Sequence, residues 1–179
     1  MPIRGKIMKK IIINKSNLTE EEMTEVVKKV KVLLINSKNE IMLGYSHNDY
    51  QFPGGTLEVG EELIDTVNRE IEEETGIKLN LDNLVAFACS FGYYKDWPVI
   101  GKNKKIEIYY YEIKTDELPN LEKTRYTESE KEGHFELRYI PLEKIEEELI
   151  KNANEFGDKK GIAKEMLELL KIYKMNISI

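Results

Sequence analysis

Glu70, Glu73 and Glu74, with Arg69 beside them and Glu61 upstream, are the residues of this chain best suited to do chemistry. They lie in residues 55–77, which carry eight carboxylates (Glu58, Glu61, Glu62, Asp65, Glu70, Glu72, Glu73 and Glu74) against one cation, Arg69. That segment's net charge of −7 compares with −6 for all 179 residues, so the rest of the chain is close to neutral. The acidity is focused on one site rather than spread for solubility. Carboxylates crowded this closely repel one another, and a hard divalent cation bound through oxygen relieves the repulsion. An Arg–Glu structural cluster is the competing account, but a single Arg69 cannot neutralise Glu70, Glu73 and Glu74 together.

The element that must position them is a helix from Glu61 to Thr75. With Glu70 at zero on a helical wheel, Leu63, Val67, Ile71 and Ile64 fall at roughly 20°, 60°, 100° and 120°, one apolar stripe facing a core. Glu74 falls near 40°, inside the stripe, while Glu72 falls roughly opposite it and reads as ordinary surface. Carboxylates at i and i+4 beside an apolar stripe are costly unless something pairs with them. Gly60 precedes the helix, and Gly76 suits a left-handed cap at its end. The Pro53-Gly54-Gly55 run favours irregular backbone before it, and close approach there makes the Gly54 carbonyl a candidate metal ligand.

Gly55, five residues, Glu61, seven residues, then Arg69-Glu70-Ile71-x-Glu73-Glu74-x-Gly76-Ile77 resembles the box of the Nudix hydrolase family, with every fixed position filled and Phe52-Pro53-Gly54 as the usual lead-in. The resemblance covers residues 55–77 only. It implies an α+β fold, an α/β/α sandwich with a mixed sheet between helices. It further implies hydrolysis of a pyrophosphate bond in a nucleoside diphosphate linked to another group: a nucleoside triphosphate, a dinucleoside polyphosphate or a nucleotide sugar. Mg²⁺ or Mn²⁺ is the expected cofactor, held by Glu70, Glu73, Glu74 and Gly54. Glu61 is expected to act through water or at one remove, and Arg69 to orient the glutamates. The general base stays open between Glu70 and a loop carboxylate. Glu132 is the preferred loop candidate and Glu130 the second. Divalent ions suit this chemistry because they screen phosphate charge, acidify the attacking water and orient both oxygens. The alternative is a non-catalytic domain that binds a nucleotide or ADP-ribose, although such domains are expected to lose box carboxylates.

The remaining chain supplies strands and helices. Strands are expected at Ile7–Asn14, Thr24–Ile35, Glu40–Tyr45, Leu84–Tyr93, Lys105–Lys114 and Phe135–Ile140, with a helix from Pro141 to about Lys151 and another opened by Gly161. The length fits one domain over 1–179, with an N-terminal strand extension (about 1–23) and C-terminal helices (about 141–174). Tyr93, Tyr94 and Trp97 gather at a strand end and are the candidate platform for a nucleobase. Tyr109, Tyr110 and Tyr111 alternate across a strand and read first as core. Lys102, Lys104 and Lys105 form a small basic loop patch. A pI near 5.2 argues against nucleic acid as the primary partner. No segment is apolar enough to span a membrane. A lone Cys89 suits a reducing cytoplasm. A homodimer is compatible with the N-terminal extension.

Overall fold

The computed structural model describes residues 8–177. Its elements in chain order are β1 (Lys9–Ile13), β2 (Glu25–Ile35), β3 (Glu40–Ser46), β4 (Asp49–Gln51), α1 (Leu63–Thr75), β5 (Ala88–Tyr94), β6 (Lys104–Lys114), α2 (Glu128–Glu132), β7 (Glu136–Pro141), α3 (Ile145–Phe156) and α4 (Ile162–Ile177). The expected first strand began at Ile7, which lies outside the described residues.

The strands form one mixed sheet in the order β1-β5-β6-β2-β3-β4, with β7 also on β3. β2 runs parallel to β6 along its whole length, from Glu25↔Lys104 to Ile35↔Lys114. β1 is parallel to β5, and the remaining pairings are antiparallel. Gly44 pairs with both Gln51 and Leu137, so β4 and β7 occupy opposite edges of β3.

Strand alternation divides the apolar residues between two faces. Val30, Val32 and Leu34 of β2 join Met42, Tyr111 and Ile113 under α1, whose Val67 and Ile71 are fully buried. Burying a side chain of that size is worth about 1.5–3 kcal/mol. Leu33 and Ile35 face the other way, packing with Ile41, Leu43 and Tyr110 beneath α3 and α4. Lys29 and Lys31 continue that second row. The result is the expected three-layer α/β/α arrangement.

Several boundaries differ from expectation. α1 begins at Leu63, so Glu61 lies before the helix. The three-residue β4 is too short to show a period, and the equally unforeseen α2 has five residues. Pro141 ends β7 opposite Glu40 instead of opening a helix, and α3 starts at Ile145. A strand lying at a sheet edge tolerates the missing N–H. Among the described residues no helix is long and apolar enough to cross a membrane.

Candidate active site

The loop before α1 is stitched to β2 by main-chain bonds. Val32 N donates to the Pro53 carbonyl (2.8 Å), Val30 N to that of Gly55 (2.9 Å), and Leu57 N to that of Lys28 (2.9 Å). Two glycines make this possible. Gly54 has φ +133°, and a Cβ there would lie 2.2 Å from the Val30 carbonyl oxygen. A Cβ on Gly55 would lie 2.2 Å from Glu70 Oε1, so the bare backbone leaves space for that carboxylate.

α1 delivers the glutamates. Gly76 closes it in the left-handed conformation (φ 70°), its N–H donating to the Glu72 carbonyl at 2.8 Å. Glu74 is 4 % exposed, as its place in the apolar stripe requires. Its Oε2 accepts from Gly54 N at 3.1 Å. Burial, reinforced by Glu70 and Glu130, pushes its carboxyl up to about 8 against the pull of Lys31. Burial also raises Glu70, with Arg69 opposing it. Glu72, expected on the surface, is half-buried.

Arg69 organises this cluster. Its Nε donates to Glu61 Oε1 (2.6 Å) and its Nη2 to Glu61 Oε2 (3.0 Å). Its Nη1 donates to Glu70 Oε1 (2.7 Å) and Glu73 Oε2 (3.2 Å). Nη2 also reaches the Thr56 carbonyl (3.0 Å), tying helix to loop. Glu61 is thereby held well below the usual carboxylate range, at about 2, chiefly by the Arg69 bonds. Thr66 Oγ1 donates to it as well (2.8 Å), so Glu61 serves as the counter-ion that fixes Arg69.

Arg69, Glu70, Glu73 and Glu74 line a cavity of about 340 Å³ with Gly54, Gly55, Arg125 and Glu130, while Glu61 stays behind Arg69 and does not line it. The opposite wall is pinned to α1, since Arg125 N donates to the Glu73 carbonyl (2.8 Å) and Asn120 N to that of Thr75 (2.9 Å). Glu130 lies on this wall because its Oε2 accepts from Thr127 N (2.6 Å), capping α2. Glu132, the preferred loop carboxylate, is exposed at the far end of α2 and does not line the cavity. Sequence reasoning missed Arg125 and Lys31. Lys31 Nζ donates to the carbonyls of Phe52 (2.9 Å) and Gly54 (3.0 Å). Its signal was a lone cation between Val30 and Val32 in an otherwise apolar run.

Among the described residues no three carboxylate, histidine or cysteine side chains are gathered at metal-ligand distance. Arg69 accounts for this by drawing Glu70 and Glu73 to its own guanidinium. The donor set still fits a hard divalent cation: oxygen only, three carboxylates and a carbonyl, the buried member raised first by burial and then by its acidic neighbours.

The aromatic candidates separate. Tyr94 and Trp97 are in contact, ring centroids 5.9 Å apart, and both line a second cavity of about 840 Å³ between the end of β5 and the start of α4. Tyr94 folds over Gly92, where a Cβ would lie 2.7 Å from its ring. Tyr93 borders this cavity too, but its side chain belongs to the opposite face of the sheet, because neighbours in a strand alternate. There its hydroxyl donates to Glu20 (2.6 Å), and Lys105 Nζ sits 5.3 Å from its ring centroid. The basic loop patch also dissolves. Lys105 is buried and paired with Glu20 and Glu107, while Lys104 pairs with Glu25 and covers Trp97.

Lys29 and Lys31 share one face of β2. Each lies in the electrostatic field of both Glu70 and Glu165, the first from the metal-type cavity and the second from the aromatic one. Lys29 is half-buried, makes no hydrogen bond or ion pair with the described residues, and is pushed down by burial and by Lys31 and Lys104.

The fold is shared with known proteins. The C. elegans Ap4A hydrolase, solved as a binary complex, shares the fold at TM-score 0.53 and 18% identity, over 85% of this chain and 98% of that one. A MutT protein from Bacillus halodurans does so at TM-score 0.50 and 20% identity, over 68% and 72%. Mouse (Mus musculus) nucleoside diphosphate-linked moiety X motif 6 is 39% identical over 56 residues, which span 31% of this chain and 16% of that protein. The family model described as NUDIX domain matches residues 26–162, from β2 to the first residue of α4. Since that span holds the whole glutamate loop-and-helix and most of the sheet, the chain belongs to the Nudix family.

Proposed function

We propose that this protein is a pyrophosphohydrolase that uses Mg²⁺ or Mn²⁺ to cleave a nucleoside diphosphate derivative. The observation that carries the reading is Glu74, a carboxylate buried beside Glu70 and the Gly54 backbone, where burial, Glu70 and Glu130 act against its charge and Lys31 only partly opposes them. A stable fold retains such a group where a cation is to be bound.

Glu70, Glu73, Glu74 and the Gly54 carbonyl would hold the ion, which supplies charge neutralisation and an acidified water. Arg69 sets the positions of Glu70 and Glu73 and is itself fixed by Glu61. Glu130 lines the other wall of the same cavity, its Oε1 accepting from no donor among the described residues, and would take the proton of the attacking water. Lys29 and Lys31, coupled to both Glu70 and Glu165, would attract the substrate's phosphates, and Lys29 has no competing hydrogen-bond or ion-pair partner among the described residues. Tyr94 and Trp97 offer the flat surface a base requires. A reducing cytoplasm suits the chain, whose one cysteine, Cys89, is buried and free.

The test is incubation with a panel of nucleoside diphosphate derivatives plus Mg²⁺ or Mn²⁺, with products resolved by ³¹P NMR. Cleavage at a pyrophosphate bond that stops with excess EDTA supports the reading. Binding without turnover would leave a nucleotide-binding domain in its place. Full turnover in EDTA would remove the metal from the mechanism.

A further inference from the structure

Glu165, on the first turns of α4, has no part in the chemistry above, yet it lines the larger cavity together with Tyr94 and Trp97. It is held in place from the sheet. Tyr110 donates its hydroxyl proton to Glu165 Oε1, and Ser90 Oγ lies 3.3 Å from the Tyr110 oxygen. Because the single Tyr110 proton is committed to Glu165, Ser90 must be the donor in the second bond. Both hydroxyl protons are thus consumed inside the cluster. What this relay presents is acceptor capacity alone: the second oxygen of Glu165 has no hydrogen-bond or ion-pair partner among the described residues. Burial raises the Glu165 carboxyl, and the Tyr110 bond together with Lys31 and Lys29, acting through space without a bond, favours its ionised form against that. The N-terminal amides of α4 offer no rival anion site, since Asp158 already accepts from Ala163 N (3.1 Å) and Lys164 N (3.0 Å).

A carboxylate has acceptors only, and two adjacent donors satisfy it best. Among the common bases, guanine alone presents a ring N–H beside an exocyclic NH₂ on its Watson–Crick edge. Adenine and cytosine set their amino group beside a bare ring nitrogen, whose lone pair a carboxylate repels. The Tyr94 ring, pressed over Gly92 and within the field of Glu165, supplies the adjoining stacking surface. Stacking on an aromatic with edge-reading by hydrogen bonds is how extruded bases are recognised in general. The volume of about 840 Å³ lies within the range of small-molecule sites.

We propose that Glu165 is a specificity-determining residue that selects a guanine-type base stacked on Tyr94 in this cavity. The inference rests on the nucleotide reading above, and its test is kept independent of turnover. Fluorescence of the single Trp97 and calorimetry are used to titrate metal-free protein with GMP, IMP and AMP. GMP binds at least about tenfold more tightly than AMP, the size of one charge-assisted hydrogen bond, and IMP, which lacks the amino group, falls between. Glu165→Gln still accepts from Tyr110 but brings its own donors, and it collapses the GMP/AMP ratio toward one. Tyr110→Phe melts earlier yet keeps the preference, which separates reading the base from fastening α4. A wild-type ratio at or below one, no saturable binding of any of the three, or an unchanged ratio in Glu165→Gln overturns the proposal. The wild-type ratio decides even if a variant fails to fold. Metal-dependent turnover without guanine preference sinks this inference alone, and guanine preference without turnover sinks the hydrolase reading alone.

Discussion

The Lys31 ammonium donates to the Gly54 carbonyl oxygen at 3.0 Å, so the backbone atom best placed to ligate a cation already faces one. The same charge is the largest influence holding Glu74 down against burial. Lys31→Met in metal-free protein should therefore lower Tm most at high pH, where Glu74 is ionised. Leaving a buried charge without its cation costs about 2 kcal/mol, or about 4–8 °C for a chain of this size. Near pH 6, where Glu74 holds its proton, the loss should be clearly smaller. An equal loss at both pH values would mean that Lys31 acts only through its bonds to the Phe52 and Gly54 carbonyls.

Glu74 itself sets a pH dependence. Its carboxyl is raised to about 8 in the fold, against 4.5 for the unperturbed group. A raised acid binds its proton more tightly in the folded state. Its contribution is fully present below pH 4.5 and lost as pH rises through about 8. The Tm of metal-free protein should fall across that window, by on the order of 5 kcal/mol in stability at most. Glu74→Gln should flatten the fall, and Mg²⁺ should restore the wild type at high pH. A wild-type Tm that is level or rises from pH 5 to 9 refutes the placement of Glu74.

Charge and geometry separate on α1. Glu74→Gln and Glu72→Gln remove the same charge, but Glu72 does not line the cavity. Turnover should drop about 10²-fold or more in the first and stay within about threefold in the second. Equal losses would show that net acidity carries the effect.

Adjacent glycines should fail in different ways. Gly55→Ala drives a methyl against the movable end of Glu70, so the fold survives and turnover falls about 10²-fold. Gly54→Ala meets the rigid Val30 carbonyl at an unfavourable φ, so melting should suffer first. Melting curves and kcat on both variants decide, and a large stability loss in Gly55→Ala would contradict the contact.

The sheet also parts two neighbouring tyrosines. Tyr94→Ala should raise KM about fivefold to a hundredfold, the worth of a base stack, with a smaller change in kcat. Tyr93→Ala, on the other face, should leave KM alone and loosen the contact with Glu20. A KM shift in Tyr93→Ala and none in Tyr94→Ala would reverse the assignment of faces.

What the sequence disclosed follows from period and length. The 3.6-residue repeat of Val67, Ile71 and Glu74 foretold the burial of Glu74, and Gly76 marked the end of α1. The division of Tyr93 from Tyr94 was legible in the strand's two-residue alternation, but their nearness in sequence suggested a cluster. The placement of Glu130 rather than Glu132 was not legible, because a five-residue helix capped by Thr127 turns one toward the cavity and the other to solvent. Neither the Asp49–Gln51 strand nor the reach of Lys31 leaves a periodic trace, since both depend on which segments the sheet brings alongside β2 and β3.

The glycine loop is fastened to β2 by the amides of Val30 and Val32, residues that are themselves fully buried. Those two amide protons can exchange with solvent only when the loop lifts away. Their hydrogen-exchange rates are therefore a gauge of how often the cavity opens, readable residue by residue without any substrate. Slowing at Val30 and Val32 on adding a divalent ion, with the β5–β6 amides unchanged, would register the loop closing on its cation.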